Sequence, residues 1–261
     1  MLGVTTTADR DQRPIERMDS VNVFVSELER ALREGRADYA VHSCKDLPST
    51  LAPDMYLAAI GSREDARDAL CSERFPTFAD LPAGSLVGTS SPRRRAQLEA
   101  LRPELRYESV RGNVETRLRK LRDGECDAIV LAMAGLRRLQ IGATYVVPFC
   151  PDDIVPAVGQ GAIAVETRAD DETLAAEICD AFEDPSTRLC VSCERAALAA
   201  MHAGCSAPIG VYAELRDGLM SVCGFAKTQA TTPVRALLER NVSSILEAQA
   251  LGQAMAAELS Q

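Results

Sequence analysis

The apolar positions of VNVFVSELERALREGR (21–36) are Val21, Val23, Phe24, Val25, Leu28, Ala31 and Leu32, and all but Val23 recur at steps of three and four. That spacing is one face of a 3.6-residue repeat, so the segment predicts an amphipathic helix ending near Gly35. ADYAVHS (37–43) predicts a strand with CKDLPST as the loop leaving it, and MYLAAIGS (55–62) a second short strand. One unit then occurs three times. SLVGTSSPRRRAQLEALRP (85–103) goes strand, turn, helix, with Ser91 suited to cap the helix and Pro92 to its first position. LRYESVRGNVETRLRKLRDG (105–124) repeats it around Gly112 and Asn113, and CDAIVLAMAGLRRLQ (126–140) repeats it again. Strands alternating with helices at this spacing predict an α/β fold with a mostly parallel, doubly wound sheet. PFCPDDIVPAVGQGAIAVE (148–166) breaks the rhythm with three prolines and two close glycines, as a crossing between domains would. Helices at 171–182 and 186–203, strands around 209–226 and 233–240, and a helix at 242–259 predict a small α+β third domain.

Composition narrows the function. The chain has 261 residues, 46% of them hydrophobic and 26% charged, enough for two or three small domains with a real core. It has no tryptophan, which argues against base-stacking platforms, and a net charge of −9, which argues against general binding to nucleic acid or anionic membranes. MLGVTTTADRDQRPIER holds no apolar run of signal-peptide length, and no stretch approaches a membrane span, so a cytoplasmic location is expected. The nine cysteines are then expected to be mostly reduced. Cys190 and Cys193 form a lone CxxC on a helical segment with no second half of a zinc site, so packing is expected there and no metal. Packing is also expected for Cys71, Cys126, Cys150, Cys179 and Cys223. Cys205 differs: in MHAGCSAPIG (201–210) it sits on a turn between the third domain's first helix and first strand.

Residues 93–119 carry eight arginines against four glutamates. Arg93 and Arg94 open a helix directly after a strand, Arg111 occupies the next strand-to-helix turn, and Arg117 lies a turn into the following helix. In an open α/β sheet these positions line one crevice, where helix N-termini add free N–H groups and positive charge. Guanidinium forks there would make a cleft for small polyanions. Arg95, Arg102, Arg106 and Arg119 read instead as solvated helix faces. Lys45 and Asp46 follow a strand in the same way. They read equally as a surface pair or as a general acid/base beside a cation.

Seven segments together resemble the porphobilinogen deaminase (hydroxymethylbilane synthase) family: ADYAVHSCKDLPS, REDARDAL, LPAGSLVGTSSPRRRAQL, VRGNVETRLRKL, DAIVLAMAGLRRL, PAVGQGAIAVE and AGCSAPIGVYAEL. They run in family order from about residue 24 to about 215. The resemblance implies two doubly wound, periplasmic-binding-protein-like domains, 1–61 with 162–179 and 65–155, and a small α+β C-terminal domain, 183–261. It implies that Cys205 carries a dipyrromethane cofactor through a thioether, in keeping with an accessible sulfur nucleophile. The implied reaction joins four porphobilinogen molecules head to tail and releases ammonia and the linear tetrapyrrole hydroxymethylbilane, a step of porphyrin and heme biosynthesis. Asp46 matches the catalytic aspartate, which would stabilise the cationic azafulvene and help move protons. Lys45, Ser43, Arg67, Thr89, Ser90, Arg93, Arg94, Arg111, Arg117, Arg138 and Gln160 match cofactor- and substrate-binding positions. His42 is expected to pack beside the site. Porphobilinogen is the implied partner and a monomer the implied state.

Two departures qualify the match. Nothing corresponds to the strand and helix with which family members begin, so the first sheet is expected to lack a strand and to expose edges that invite association. The family's GGKG before LF is replaced by DSVN before VF, with Arg17 in place of one lysine. Two other functions remain open from the sequence: a truncated or impaired relative with little activity, and a non-enzymatic anion-binding protein of periplasmic-binding type. The presence of both Asp46 and Cys205 argues against the latter.

Overall fold

The computed structural model describes residues 20–202, 207–227 and 232–260. Helix α1 (Ser20–Arg33) buries Val25, Ala31 and Leu32, the expected apolar face. It packs on a three-stranded sheet of β1 (Tyr39–Ser43), β2 (Met55–Ile60) and β8 (Ile163–Arg168), with Leu32, Ala40 and Met55 in one cluster and Val25, Ile60 and Ala164 in another. The sheet order is β1-β8-β2 and both pairings are antiparallel, with Val41 opposite Val165. This corrects the mostly parallel expectation, because periodicity marks a strand but not its direction. β1 is an edge strand, and Tyr39 and Val41 on its outer face are 53% and 56% exposed.

The second sheet has five strands: β3 (Asp68–Ser72), β4 (Leu86–Gly88), β5 (Arg106–Glu108), β6 (Ala128–Ala132) and β7 (Tyr145–Pro148), in the order β5-β4-β6-β3-β7. β4 runs parallel to β5 and β6, as the repeated strand–turn–helix unit predicts. Its helices are α2 (Pro92–Leu101), α3 (Val114–Arg122) and α4 (Met133–Leu139). Ser91 caps α2 by accepting from the Arg94 amide, with Pro92 in the first turn, and Asn113 caps α3 through the Thr116 amide. β3 and β7 were not anticipated, and both pair antiparallel. β3, DALCS, is buried on both faces and so shows no alternation, while β7 ends on a proline at the sheet edge.

Two crossings join these sheets, 61–67 and 149–162. They are stitched together by Gly61 N–H to Ile163 O (3.0 Å) and Glu64 N–H to Gly161 O (3.1 Å). Gly161 has φ +91°, and a Cβ there would meet the Glu64 carbonyl, so the close approach requires glycine.

After α5 (Glu172–Phe182), helices α6 (Pro185–Ala200) and α7 (Ile245–Leu259) cover one face of an antiparallel sheet, β11-β10-β9 (Val234–Asn241, Leu219–Ala226, Ile209–Arg216). Cys193, Ala197, Met220, Val222, Leu251 and Met255 form its core. Buried Glu194 of α6 fastens this unit to both crossings. Its carboxylate accepts from Arg63 Nη1 (2.6 Å) and Nη2 (3.2 Å), from the Gly159 amide (2.7 Å) and from the Ala213 amide of β9 (2.8 Å). Arg235 of β11 adds a clamp, donating to the carbonyls of Asp152 (2.6 Å) and Asp153 (2.5 Å).

Cys190 and Cys193 lie inside the C-terminal core, where burial pushes both thiols up to about 12. Cys71 and Cys126 are buried, and Cys179 and Cys223 partly so. Cys150 is exposed, contrary to expectation, because it lies on the crossing rather than in an element; its thiol faces Asp152 Oδ2 at 3.6 Å.

Candidate active site

The C-terminal ends of β1, β4, β5 and β6 converge on a cleft of about 360 Å³, bounded on its far side by Gly161–Ile163. This is the crevice where open α/β sheets take ligands. Ser43 and Lys45 enter it from the end of β1 and the short 3-10 turn Cys44–Asp46, Arg94 from α2, Arg117 from α3 and Arg138 from α4.

Asp46 is exposed at the end of that turn and makes no hydrogen bond or ion pair among the described residues. Lys45, one residue before it, is half-buried. Desolvation pushes its ammonium down from the ordinary value, reinforced by Arg94 and Arg93 and opposed by Asp46 and Asp68. Arg111 has a buried Nη1 with no hydrogen-bond partner among the described residues. Arg117 uses its Nε to hold the Gly112 carbonyl at 2.6 Å, and its terminal nitrogens make no hydrogen bond among the described residues. Desolvation, then Arg94 and Arg111, push that guanidinium down to about 10, with Asp46 opposing. Arg138 donates one Nη2 bond to Gly161 O at 2.7 Å. The cleft therefore holds cations in excess of hydrogen-bond acceptors.

The remaining expected residues divide differently. Arg93 is buried and donates to Asp68 Oδ2 (2.7 Å) and Val155 O (2.6 Å). Arg94 donates to Asp68 Oδ1 through Nε (2.9 Å) and Nη2 (2.7 Å), and to Val130 O. Gln160 is buried and gives its amide to Ala66 O and Asp68 Oδ1. Thr89 accepts from the Ser91 amide. Ser90 bonds Val110 O (2.8 Å) and Ser109 Oγ (2.9 Å), tying the β4–α2 turn to the β5–α3 turn. Arg67 lies away from the cleft, doubly bonded to Asp65 in a larger cavity beside the C-terminal unit. His42 is buried and bonded to Glu166 (2.9 Å). Cys205 lies outside the described residues. The strand that follows it begins against the second crossing and α2: a side chain at Gly210 would collide with the carbonyls of Val155 and Pro156 and with Arg93.

Comparison with known proteins accounts for the same residues. The protein-family model described as "Porphobilinogen deaminase, dipyromethane cofactor binding domain" matches residues 1–176, and that described as "Porphobilinogen deaminase, C-terminal domain" matches 188–261. A porphobilinogen deaminase of Methylobacillus flagellatus is 44% identical over 99% of this chain and 83% of its own length. One of Roseiflexus sp. is 48% identical over 85% and 77%, and one of Chromobacterium violaceum 44% identical over 99% and 83%. The chain belongs to the porphobilinogen deaminase family. As a member of this family it is a transferase that polymerises porphobilinogen to hydroxymethylbilane, with dipyrromethane as its cofactor. Among the described residues, no helix is long and apolar enough to cross a membrane.

One residue central to this deaminase's cleft was missed in the sequence. Asp68, on the unanticipated β3, is fully buried and anchors Arg93, Arg94 and Gln160 together. Burial alone would raise its carboxyl; Arg93 and Arg94 overcome that and hold it well below the usual carboxylate range. Its signal was an acid inside a short apolar run, DALCS, which reads as a strand only if the acid has a buried partner.

Proposed function

We propose that Asp46 is the catalytic carboxylate and that Lys45, Arg94, Arg111, Arg117 and Arg138, with Ser43, hold the carboxylates of the pyrrole chain. One observation carries this reading: Asp46, unpaired among the described residues, follows directly on Lys45 of a cleft in which Lys45 and Arg117 have no acid bonded to them, and Arg111, whose charge acts on Arg117, keeps a buried Nη1 without a partner among those residues. Porphobilinogen brings an acetate and a propionate, so every condensation adds two negative charges for those donors to meet. The donor set fits dipyrromethane for the same reason. When bound, the cofactor supplies the free pyrrole α-carbon on which the chain starts, and Cys205 is proposed as its attachment point.

Asp46 then accepts pyrrole N–H bonds and stabilises the positive charge left on the porphobilinogen methylene carbon as ammonia departs. It gives its proton to the departing amine, stands as a carboxylate beside the cation so formed, and regains a proton from the attacked α-carbon, so the group's protonation state is restored at each cycle. Arg93, Gln160, Thr89 and Ser90 act by shaping the wall: all four have protein partners, Gln160 through its amide N–H while its buried Oε1 has none among the described residues. Arg67 is proposed to serve the junction beside the C-terminal unit instead.

We further assign domain one to 1–61 with 162–179, domain two to 65–155 and domain three to 183–261, in keeping with the three sheets. The net charge of −9 supports a chain that engages neither nucleic acid nor anionic membrane, and we propose a cytoplasmic monomer.

Intact mass of the purified chain tests the proposal. A mass increase matching dipyrromethane that disappears in Cys205→Ser is expected. An unmodified chain that releases no ammonia from porphobilinogen would instead mark an impaired relative.

A further inference from the structure

Helix α4 carries a glycine that the packing of the described residues does not require. Gly135 lies inside the helix, where glycine is less favourable than alanine because it loses more backbone freedom on folding. A positive φ or a close approach ordinarily accounts for such a residue. Gly135 has no positive φ, and a Cβ built on it would meet one atom within 4 Å, Val114 Cγ2 at 3.6 Å, an ordinary contact. Gly135 instead borders the cleft. One turn further on, Leu139 borders it too; it is 50% exposed and belongs to none of the apolar clusters around it. Ile163 lines the same cleft from the other sheet, where it opens β8 opposite Ser43. The bond from Arg138 to Gly161 O ties α4 to the approach of that strand. An apolar recess therefore adjoins the cations.

We propose that Gly135, Leu139 and Ile163 seat a pyrrole ring: the ring lies against the bare backbone at Gly135, and Leu139 and Ile163 cover its apolar surface. The proposal rests on the cleft being the carboxylate site. A carboxylate-bearing pyrrole is an apolar plane fringed by anions. Guanidinium and ammonium groups alone would accept any polyanion of similar size, because they read only the fringe. Contact with the plane is what distinguishes a pyrrole from a ring-free diacid, in the way that small-molecule sites combine an apolar lining with a few charged groups. A side chain at position 135 would stand in the space of the ring, which accounts for a glycine that the helix itself does not favour. The ring belongs to the cofactor or to a unit added to it, and the chemistry of the seat is the same for both.

The test follows KM for porphobilinogen, the lengths of enzyme-bound pyrrole chains by intact mass, and Tm. Gly135→Ala is expected to raise KM or slow chain growth by about ten- to hundredfold, the effect of overfilling a close contact. Compared in a Cys205→Ser background, where the cofactor is not attached, the same change should raise Tm by about 1–3 °C, the gain of a better helix former. Leu139→Asn should raise KM by about three- to tenfold, as about half of a leucine's burial is lost, and Leu139→Met should restore it. Loss of the mass adduct in Gly135→Ala identifies the seated ring as the cofactor's; an intact adduct with shortened chains identifies it as an added unit's. Parental KM and chain growth in Gly135→Ala overturn the proposal. So does a lowered Tm in the Cys205→Ser background, since protein packing would then account for the glycine. If Arg117→Leu slows growth while Gly135→Ala does not, the cleft reading stands without the seat. Parental chain growth in Arg117→Leu overturns the cleft reading and the seat with it.

Discussion

Two cavities of this chain are built from the same side chains and differ in what those side chains have left to give. The larger, about 600 Å³, lies where the first crossing, α4 and β9 meet. Each of its arginines has a carboxylate: Arg63 has Glu194, Arg67 has Asp65, Arg137 has Glu64 and Asp65, and Arg216 has Glu214. The smaller, about 360 Å³, holds Lys45, Arg117 and Arg138 with no acid bonded to any of them among the described residues. Volume alone would choose the larger, whereas the proposed site is the smaller. Charge without a partner marks the place where a ligand must complete the electrostatics, whereas the paired cavity is already neutral and serves as a joint.

That contrast can be broken most severely at Asp46. Asp46→Ala should lower turnover by about 10²–10³-fold, the cost of removing one preorganised stabiliser of developing charge, while the mass adduct persists. Ammonia release and intact mass, followed together, check it; full turnover would return Asp46 to the status of a surface acid.

Next is Asp68→Asn, which leaves Arg93 and Arg94 buried without a counter-charge and should cost about 3–5 kcal/mol of stability. The pH dependence follows from a carboxyl held below its unfolded value. Its contribution is whole at neutral pH and is lost as acid titrates it, beginning below about pH 4. The gap in Tm between the parent and Asp68→Asn should therefore be widest near neutrality and narrow in acid.

Smaller losses belong to the free cations. Arg111→Leu or Arg117→Leu each removes a charge-assisted bond of about 1.5–3 kcal/mol, so chain growth should slow by about 10–100-fold, read as shorter enzyme-bound pyrrole chains by mass. The smallest effect is expected in the paired cavity. Arg216→Ala breaks an exposed pair with Glu214 and should change stability by less than about 0.5 kcal/mol and turnover not measurably. A loss comparable to that of Arg117→Leu would erase the distinction between the two cavities.

Local signals were legible wherever the chain states its own geometry. Ser91, Pro92 and Asn113 announce helix starts, and they place Arg94, Arg111 and Arg117 at one edge before any coordinates are known. Strand direction was not legible, so the antiparallel β1-β8-β2 sheet came as a correction. Nor was the fate of each arginine. Arg93 and Arg94 are adjacent in sequence, yet Arg93 is turned wholly inward and Arg94 reaches the cleft, because Asp68 lies beneath both. Arg67 looked like its cleft neighbours until Asp65, two residues away, claimed it. Pairing across long sequence distance decides which cations are available, and a single sequence carries that information poorly.

The four bonds converging on Glu194 have a mechanical corollary. Ala213 belongs to the same unit as Glu194, so a rotation of that unit against the crossings must break a bond from Arg63 or Gly159 to that one carboxylate. Room for a lengthening product is thus cheaper to find by loosening the walls of the cleft than by swinging the third unit away.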